Sequence, residues 1–156
     1  MKLEGSCHCQ AVRFQVEAPS PVPYMRCYCS ICRKVAGGGG YATNIGADAT
    51  TLEIEGEAHI RVYETSPHAS TTDAKCGRRF CGECGTALWH YDPRWPDLVH
   101  PFASVIDTDL PPPPSSTHIM LDSKANWVRV DQADGDETFD EYPDKSLADW
   151  HNQNGY

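Results

Sequence analysis

Eight cysteines in a chain of 156 residues constrain this sequence more than any other feature. They fall as Cys7-x-Cys9, Cys27-x-Cys29-x-x-Cys32, Cys76 alone and Cys81-x-x-Cys84. In a small secreted domain an even count would read as a disulfide framework, but clusters this tight chelate a metal far more readily than they cross-link a fold. Zinc is the default ion for such thiol sets. The pair Cys81 and Cys84, followed by Gly85, has the form of a zinc knuckle. Residues two apart on an extended segment point the same way, so Cys7 and Cys9 can offer two thiolates to one ion if the chain is extended there. Joined, these pairs make a closed four-thiolate site that ties the N-terminus to the middle of the chain. Cys27, Cys29 and Cys32 fuse both spacings and supply three ligands where tetrahedral zinc takes four, and an open position is the mark of a catalytic site. Two other divisions stay open from spacing alone: Cys76 closes the second site and makes both zincs structural, or pairs exchange between the sites. Cys76 lies outside any chelating turn, so a free thiol fits it at least as well. Arg26, Arg33, Lys34, Lys75, Arg78 and Arg79 all sit within three residues of a cysteine and favour thiolates.

Charge removes other function classes. The formal net charge is −9, the wrong sign for a grip on nucleic acid phosphates. No apolar run is long enough to cross a bilayer, and MKLEGSCHCQ lacks the apolar core of a secretory signal, so a reducing, cytoplasmic setting is expected. From residue 131 onward eight acids stand against Lys145, and this end is expected to be a solvated segment that keeps the protein soluble. Phe139, Tyr142 and Trp150 are expected to dock it on or beside the body, and Ser146 to Asp149 reads as a capping box opening a short helix that Gly155 ends. One zinc-binding domain over 1–156 is expected, with its core in 3–130 and the acidic segment 131–156 docked on or flanking it.

Along the body the dominant period is two. Val12, Phe14 and Val16 alternate with polar neighbours, as do Leu52 and Ile54, and Ile60 and Val62. The stretch 52–63, with Gly56-Glu57 in its middle, reads as a hairpin. Further strands are expected at Thr86–Tyr91, Phe102–Ile106, His118–Leu121 and Trp127–Val130, with Trp127 as a core anchor. The fold class is all-β, with long loops and a short C-terminal helix. So small and loop-rich a core is marginal, and a structural zinc contributing on the order of 10 kcal/mol would decide whether it folds.

The strings GSCHCQAVRFQVE, CYCSICRKVAGGGGYAT, RRFCGECGTALW and HIMLDSKANWVRV resemble, in this order and over residues 3–130, the glutathione-dependent formaldehyde-activating enzyme family, which includes centromere protein V. The resemblance implies a zinc-stapled complex β-sandwich of the β-tent type. It implies two zinc ions per chain: a structural one on Cys7, Cys9, Cys81 and Cys84, and a catalytic one on Cys27, Cys29 and Cys32. Tyr28 stands where many relatives have histidine, and the stretch from Trp89 to Trp95 is more aromatic than the family's typical loop.

A zinc held by three thiolates is a modest Lewis acid but a good holder of one more soft ligand. A thiol bound there is deprotonated and kept as a positioned nucleophile. The expected activity is therefore a zinc-dependent carbon–sulfur lyase or synthase that adds a small-molecule thiol, glutathione or similar, to formaldehyde or another carbonyl compound, or the reverse. The alternative is a non-catalytic zinc-stabilised protein-binding module. Gly37–Gly40 could cradle a substrate carboxylate, although a plain turn is the simpler reading. His100 and His118 are candidates for proton transfer, and Tyr41 and Trp89 for lining the pocket. For each of these four, a packed core role is the commoner outcome.

Overall fold

The computed structural model describes residues 1–65 and 76–156. Lys75, one of the bases near a cysteine, lies outside the described residues. In chain order the strands are β1 (Lys2–Ser6), β2 (Arg13–Glu17), β3 (Tyr24–Cys27), β4 (Ala42–Asn44), β5 (Ala47–Asp48), β6 (Glu53–Glu55), β7 (Ile60–Glu64), β8 (Gly77–Cys81), β9 (Ala87–Tyr91), β10 (Leu98–Pro101), β11 (Ser116–Ile119) and β12 (Glu137–Thr138). Two short helices join them, α1 (Ser30–Val35) and α2 (Leu147–Asn154). The strands form three sheets, ordered β1-β2-β6, β5-β10-β9-β8-β7 and β12-β11-β3-β4. The first two are antiparallel, while in the third β11 runs parallel to both of its neighbours.

The period-two pattern sets the inner faces. Leu3 opposes Val16 and Gly5 opposes Phe14, so the apolar members of β1 and β2 share one buried side. Phe14 meets Trp89 of the second sheet edge to face, with ring centroids 5.2 Å apart, in a core shared with Val99, Phe102 and Ile45. Gly5 is required at this packing point, because a Cβ there would strike the Phe14 ring and the Val105 carbonyl.

Four of the expected elements differ. The segment 52–63 is not a hairpin: β6 pairs with β2 and β7 with β8, in different sheets. Gly56, at φ 77°, and a 3-10 turn over Glu57–His59 redirect the chain, and a Cβ on Gly56 would collide with the Ala11 carbonyl. The alternating residues at 102–106 form a 3-10 turn, Ala103–Val105, rather than a strand. The strand expected at His118–Leu121 begins earlier, as β11, and ends where Met120 adopts φ 62° ahead of the turn Leu121–Ser123. Trp127–Val130 carries no strand, and Trp127 is 65% exposed; Val128 is the buried member, packed where Gly40 leaves room.

The acidic end is not merely solvated. Asp136 is buried and accepts from the Ser116 and Ala133 amides. Trp150 is buried too, and its Nε1–H donates to Glu137. Phe139 packs against the core and Tyr142 meets Trp95. The capping box of α2 forms as expected, with Ser146 and Asp149 bonded reciprocally and Gly155 left-handed at the C-cap. No helix among the described residues is long and apolar enough to cross a membrane.

Candidate functional site

Cys7, Cys9, Cys81 and Cys84 come together with all four sulfurs within 4.8 Å of one another. Two tight turns deliver them. Cys7 and Cys9 lie at the β1–β2 connection, which is a turn rather than the extended segment expected, with Gln10 at φ 64°. Cys81 and Cys84 flank the β8–β9 turn, where Gly85 at φ 75° lets its amide bond the Cys81 carbonyl. The Sγ atoms of Cys7 and Cys9 are 3.5 Å apart, and those of Cys9 and Cys81 are 3.8 Å apart. Zinc–sulfur bonds of about 2.3 Å at tetrahedral angles place neighbouring sulfurs about 3.8 Å apart, so the set fits a tetrahedral ion. The Thr86 hydroxyl, 3.1 Å from Cys84 Sγ, leads the effects that bring that thiol down to about 5.

Cys27, Cys29 and Cys32 form the second group, again within 4.8 Å. Cys27 ends β3, Cys29 is the N-cap of α1, and Cys32 lies in its first turn. The Cys29 sulfur accepts from the Cys32 amide at 3.3 Å, as an N-cap side chain does. Hydrogen bonding from Cys27 drives the Cys29 thiol far down, while the same contact drives Cys27 up. Three thiols this close together are a donor set that a soft divalent cation would satisfy. Arg78 Nη2 donates to Cys32 Sγ at 3.5 Å and adds positive charge beside the group. Cys76 is buried and belongs to neither set; its sulfur lies 3.5 Å from the Thr65 hydroxyl.

All three of these cysteines line a cavity of about 560 Å³, whereas none of the four-cysteine set does. Its walls come from the second sheet through Arg78, His90 and His100, from the third through Met25, Asn44 and Thr117, and from the acidic end through Tyr142, Leu147 and Trp150. His90 and His100 stack at 4.5 Å. Burial pushes both well below the usual histidine range, His100 to about 4, with the charge of Arg78 acting in the same direction. Two other cations of the wall are already paired: Arg94 forks onto Asp92 at 2.6 Å, and Lys145 meets Glu137 at 2.8 Å.

The sequence pattern of the family described as "Glutathione-dependent formaldehyde-activating enzyme" matches residues 2–123. The chain belongs to that family. A Halomonas elongata protein bearing this name provisionally is 54% identical over 151 residues, which is 97% of this chain and 95% of the relative. The crystal structure of a Rhodobacter sphaeroides protein, 26% identical, superposes with a TM-score of 0.56 over 71% of this chain and 92% of that one.

Within this formaldehyde-activating family member, the two cysteine groups expected from spacing are the ones the fold assembles. The flanking candidates fare differently. His100 lines the cavity, but His118 does not: fully buried, it sits 2.9 Å from the Tyr28 hydroxyl and 3.1 Å from Asp136. Trp89 is core, and Tyr41 packs on Tyr28, so neither lines the cavity. Gly37–Gly40 closes on itself through a Gly40 amide to Gly37 carbonyl bond, with Gly37 and Gly38 beside Thr86 and Ser104 and Gly40 against Val128, and none of the four lines the cavity of the three cysteines. Sequence reasoning missed His90, Asn44 and Thr117, and although it docks Tyr142 and Trp150 on the body, it gives them no part in a cavity. The signal for His90 was its place two residues from Leu88 on a strand whose other neighbours are apolar.

Proposed function

We propose that this chain is a zinc-dependent enzyme that makes or breaks a carbon–sulfur bond, adding a thiol such as glutathione to formaldehyde or another carbonyl compound, or catalysing the reverse. The observation that carries the reading is the contrast between the two cysteine groups: the four-sulfur set is complete, while the three-sulfur set is one ligand short and lines the cavity. Cys7, Cys9, Cys81 and Cys84 would hold a structural zinc, and Cys27, Cys29 and Cys32 a catalytic one. Bound to three thiolates, that second ion supplies a soft centre at which a substrate thiol is kept in its thiolate form. Family membership and the name of the Halomonas relative support the same chemistry.

The chain's own residues set the conditions for addition. The reaction is redox-neutral: the S–H bond breaks, the sulfur pair forms the C–S bond, the carbonyl π pair moves to oxygen, and that oxygen takes a proton. Arg78, which donates to Cys32 Sγ, would offset the negative charge of a metal-bound three-thiolate site. Apolar side chains, among them Ile31, Leu98 and Trp150, line the cavity with the three cysteines and would limit the water beside them. His100, which burial holds near 4, stays neutral at neutral pH and can hydrogen-bond the reacting oxygen without bringing a charge into the cavity. The same reading assigns the three sheets to a zinc-stapled β-tent architecture in a single domain, and free thiols suit a reducing cytoplasm.

The test is exchange NMR with glutathione and ¹³C-formaldehyde at equilibrium. Adduct exchange faster than the buffer reaction with this pair or with another thiol and aldehyde from a panel, and abolished in Cys29→Ala, is the expected result. No acceleration with glutathione or with any other thiol and aldehyde pair would overturn the proposal.

A further inference from the structure

Six buried side-chain nitrogen or oxygen atoms have no hydrogen-bond partner among the described residues, and five of them belong to residues lining the cavity of the three cysteines. They are Arg78 Nε, His90 Nδ1, His100 Nδ1, Asn44 Oδ1 and Thr117 Oγ1. Native proteins leave few buried polar groups unmade, because desolvation without a partner is costly. Five around a single space call for a partner that occupies the space.

Strand register explains how they converge. Arg78 pairs with His90 and His90 with His100, across β8, β9 and β10, so these side chains form one row on one face of the second sheet. Thr117 and Asn44 both pair with Met25, from the two sides of β3, and make a second row on the third sheet. The rows offer a guanidinium donor, an amide acceptor, a hydroxyl and two imidazoles able to serve in either sense. That mixture fits an oxygen that accepts as a carbonyl and both accepts and donates as a hydroxyl.

The rest of the wall is unlike a site for a charged peptide. Arg94 and Lys145, its other cations, are held by Asp92 and Glu137. Trp95, Trp150, Leu98, Leu147 and Ile31 present hydrocarbon. Glutathione carries two carboxylates and an ammonium group, and burying them against this wall would leave them unmatched.

Building on the carbon–sulfur reading above, we propose that Arg78, His90, His100, Asn44 and Thr117 form a polar seat that takes the substrate's carbonyl oxygen, which becomes the product hydroxyl, together with ordered water, and that the remainder of the cavity takes an apolar or aromatic body. The substrate class is a weakly charged thiol and carbonyl pair with hydrocarbon substituents. In the step, the thiol proton leaves sulfur and ends on the seated oxygen as its π pair becomes a lone pair, with no other reactant needed.

Unreactive probes test this on the zinc-loaded protein without reference to turnover. Titration by NMR with 3-phenylpropanamide, 3-phenylpropionate and S-methylglutathione is expected to show the amide binding most tightly, with S-methylglutathione at least about tenfold weaker. Thr117→Val, which keeps shape and removes only the hydroxyl, and Asn44→Ala are each expected to weaken the amide about fivefold, with zinc content unchanged. Equal or tighter binding of S-methylglutathione, tighter binding of the carboxylate, no amide binding, or an unchanged amide affinity in Thr117→Val would each overturn the proposal. Accelerated glutathione–formaldehyde exchange together with tight S-methylglutathione binding would sink the seat and keep the carbon–sulfur reading. The expected probe ranking with no acceleration for any thiol and aldehyde pair would do the reverse.

Discussion

Replacing Asp136 with alanine tests whether the acidic end is a structural part of the molecule. Its carboxylate is 4% exposed and accepts from the Ser116 amide at 2.6 Å, the Ala133 amide at 3.1 Å and His118 Nε2 at 3.1 Å. Burial alone would raise its pKa, yet these three bonds hold it below the ordinary carboxylate value. Truncation would leave two amides and a fully buried imidazole without their acceptor. Breaking a buried, hydrogen-bonded charge in this way costs about 3 to 5 kcal/mol. With a urea slope of about 2 kcal/mol per molar, the unfolding midpoint should fall by about 2 M. Tryptophan fluorescence is a suitable probe, because Trp150 bonds to Glu137, the next residue in the chain. Asp136→Asn retains one oxygen acceptor and should lose about half as much. A midpoint shift below about 0.5 M for the alanine variant, at unchanged slope, would refute the view that this carboxylate anchors the segment.

Two further outcomes follow from the same reasoning. Cys81→Ala should prevent folding at room temperature by circular dichroism, since a structural zinc contributes on the order of 10 kcal/mol against a net stability of about 5 to 15; Cys29→Ala should fold, lose about 1 kcal/mol of capping, and carry one zinc instead of two by elemental analysis. His100 is held at about 4 when folded, below its unfolded value near 6.5. The unfolded chain therefore binds the extra proton between those values, and the stability tied to a neutral His100 is complete above about pH 6.5 and is lost as pH falls toward 4. The stability gap between wild type and His100→Gln should accordingly change by about 2 kcal/mol between pH 7 and pH 4.5, and a gap independent of pH would contradict the assignment.

What could be read in the sequence was local. Cysteine pairs two or three residues apart chelate through the geometry of a turn, so both groups were visible even though Cys7 and Cys9 sit in a turn rather than an extended segment. Strand β2 was legible from the alternation of Val12, Phe14 and Val16 with polar neighbours, and α2 from its capping box. The misreadings share a cause. At 52–63 two alternating runs flank a glycine, and nothing local distinguishes a hairpin from a crossover between sheets; contact with Ala11 decides it. The cavity was hidden for a related reason. Arg78, His90 and His100 are neighbours only by strand register, and a period-two reading sends polar residues outward, whereas this face is enclosed by a segment whose charge suggested solvent.

The two cysteine groups also differ in what a metal could do for the fold. An ion on the first set would join the β1–β2 turn to the β8–β9 turn, between residues as far apart as Cys9 and Cys81, which are separated by 72 positions. An ion on the second would join residues of one short strand-to-helix corner, all between Cys27 and Cys32. Loop closure costs scale with the logarithm of length, so the first restricts the unfolded chain by about 2 kcal/mol more than the second, before any difference in ligand number. A corner already held by β3, by the N-cap bond of α1 and by the Tyr28 contact with His118 gains little from a further clamp. Stapling therefore accounts for the four-cysteine set and leaves the three-cysteine set without a structural reason. What that second set has instead is a place on the wall of the cavity, beside an arginine and two neutral histidines. The structural role proposed for the first set and the chemical role proposed for the second would thus follow from chain topology as well as from ligand count.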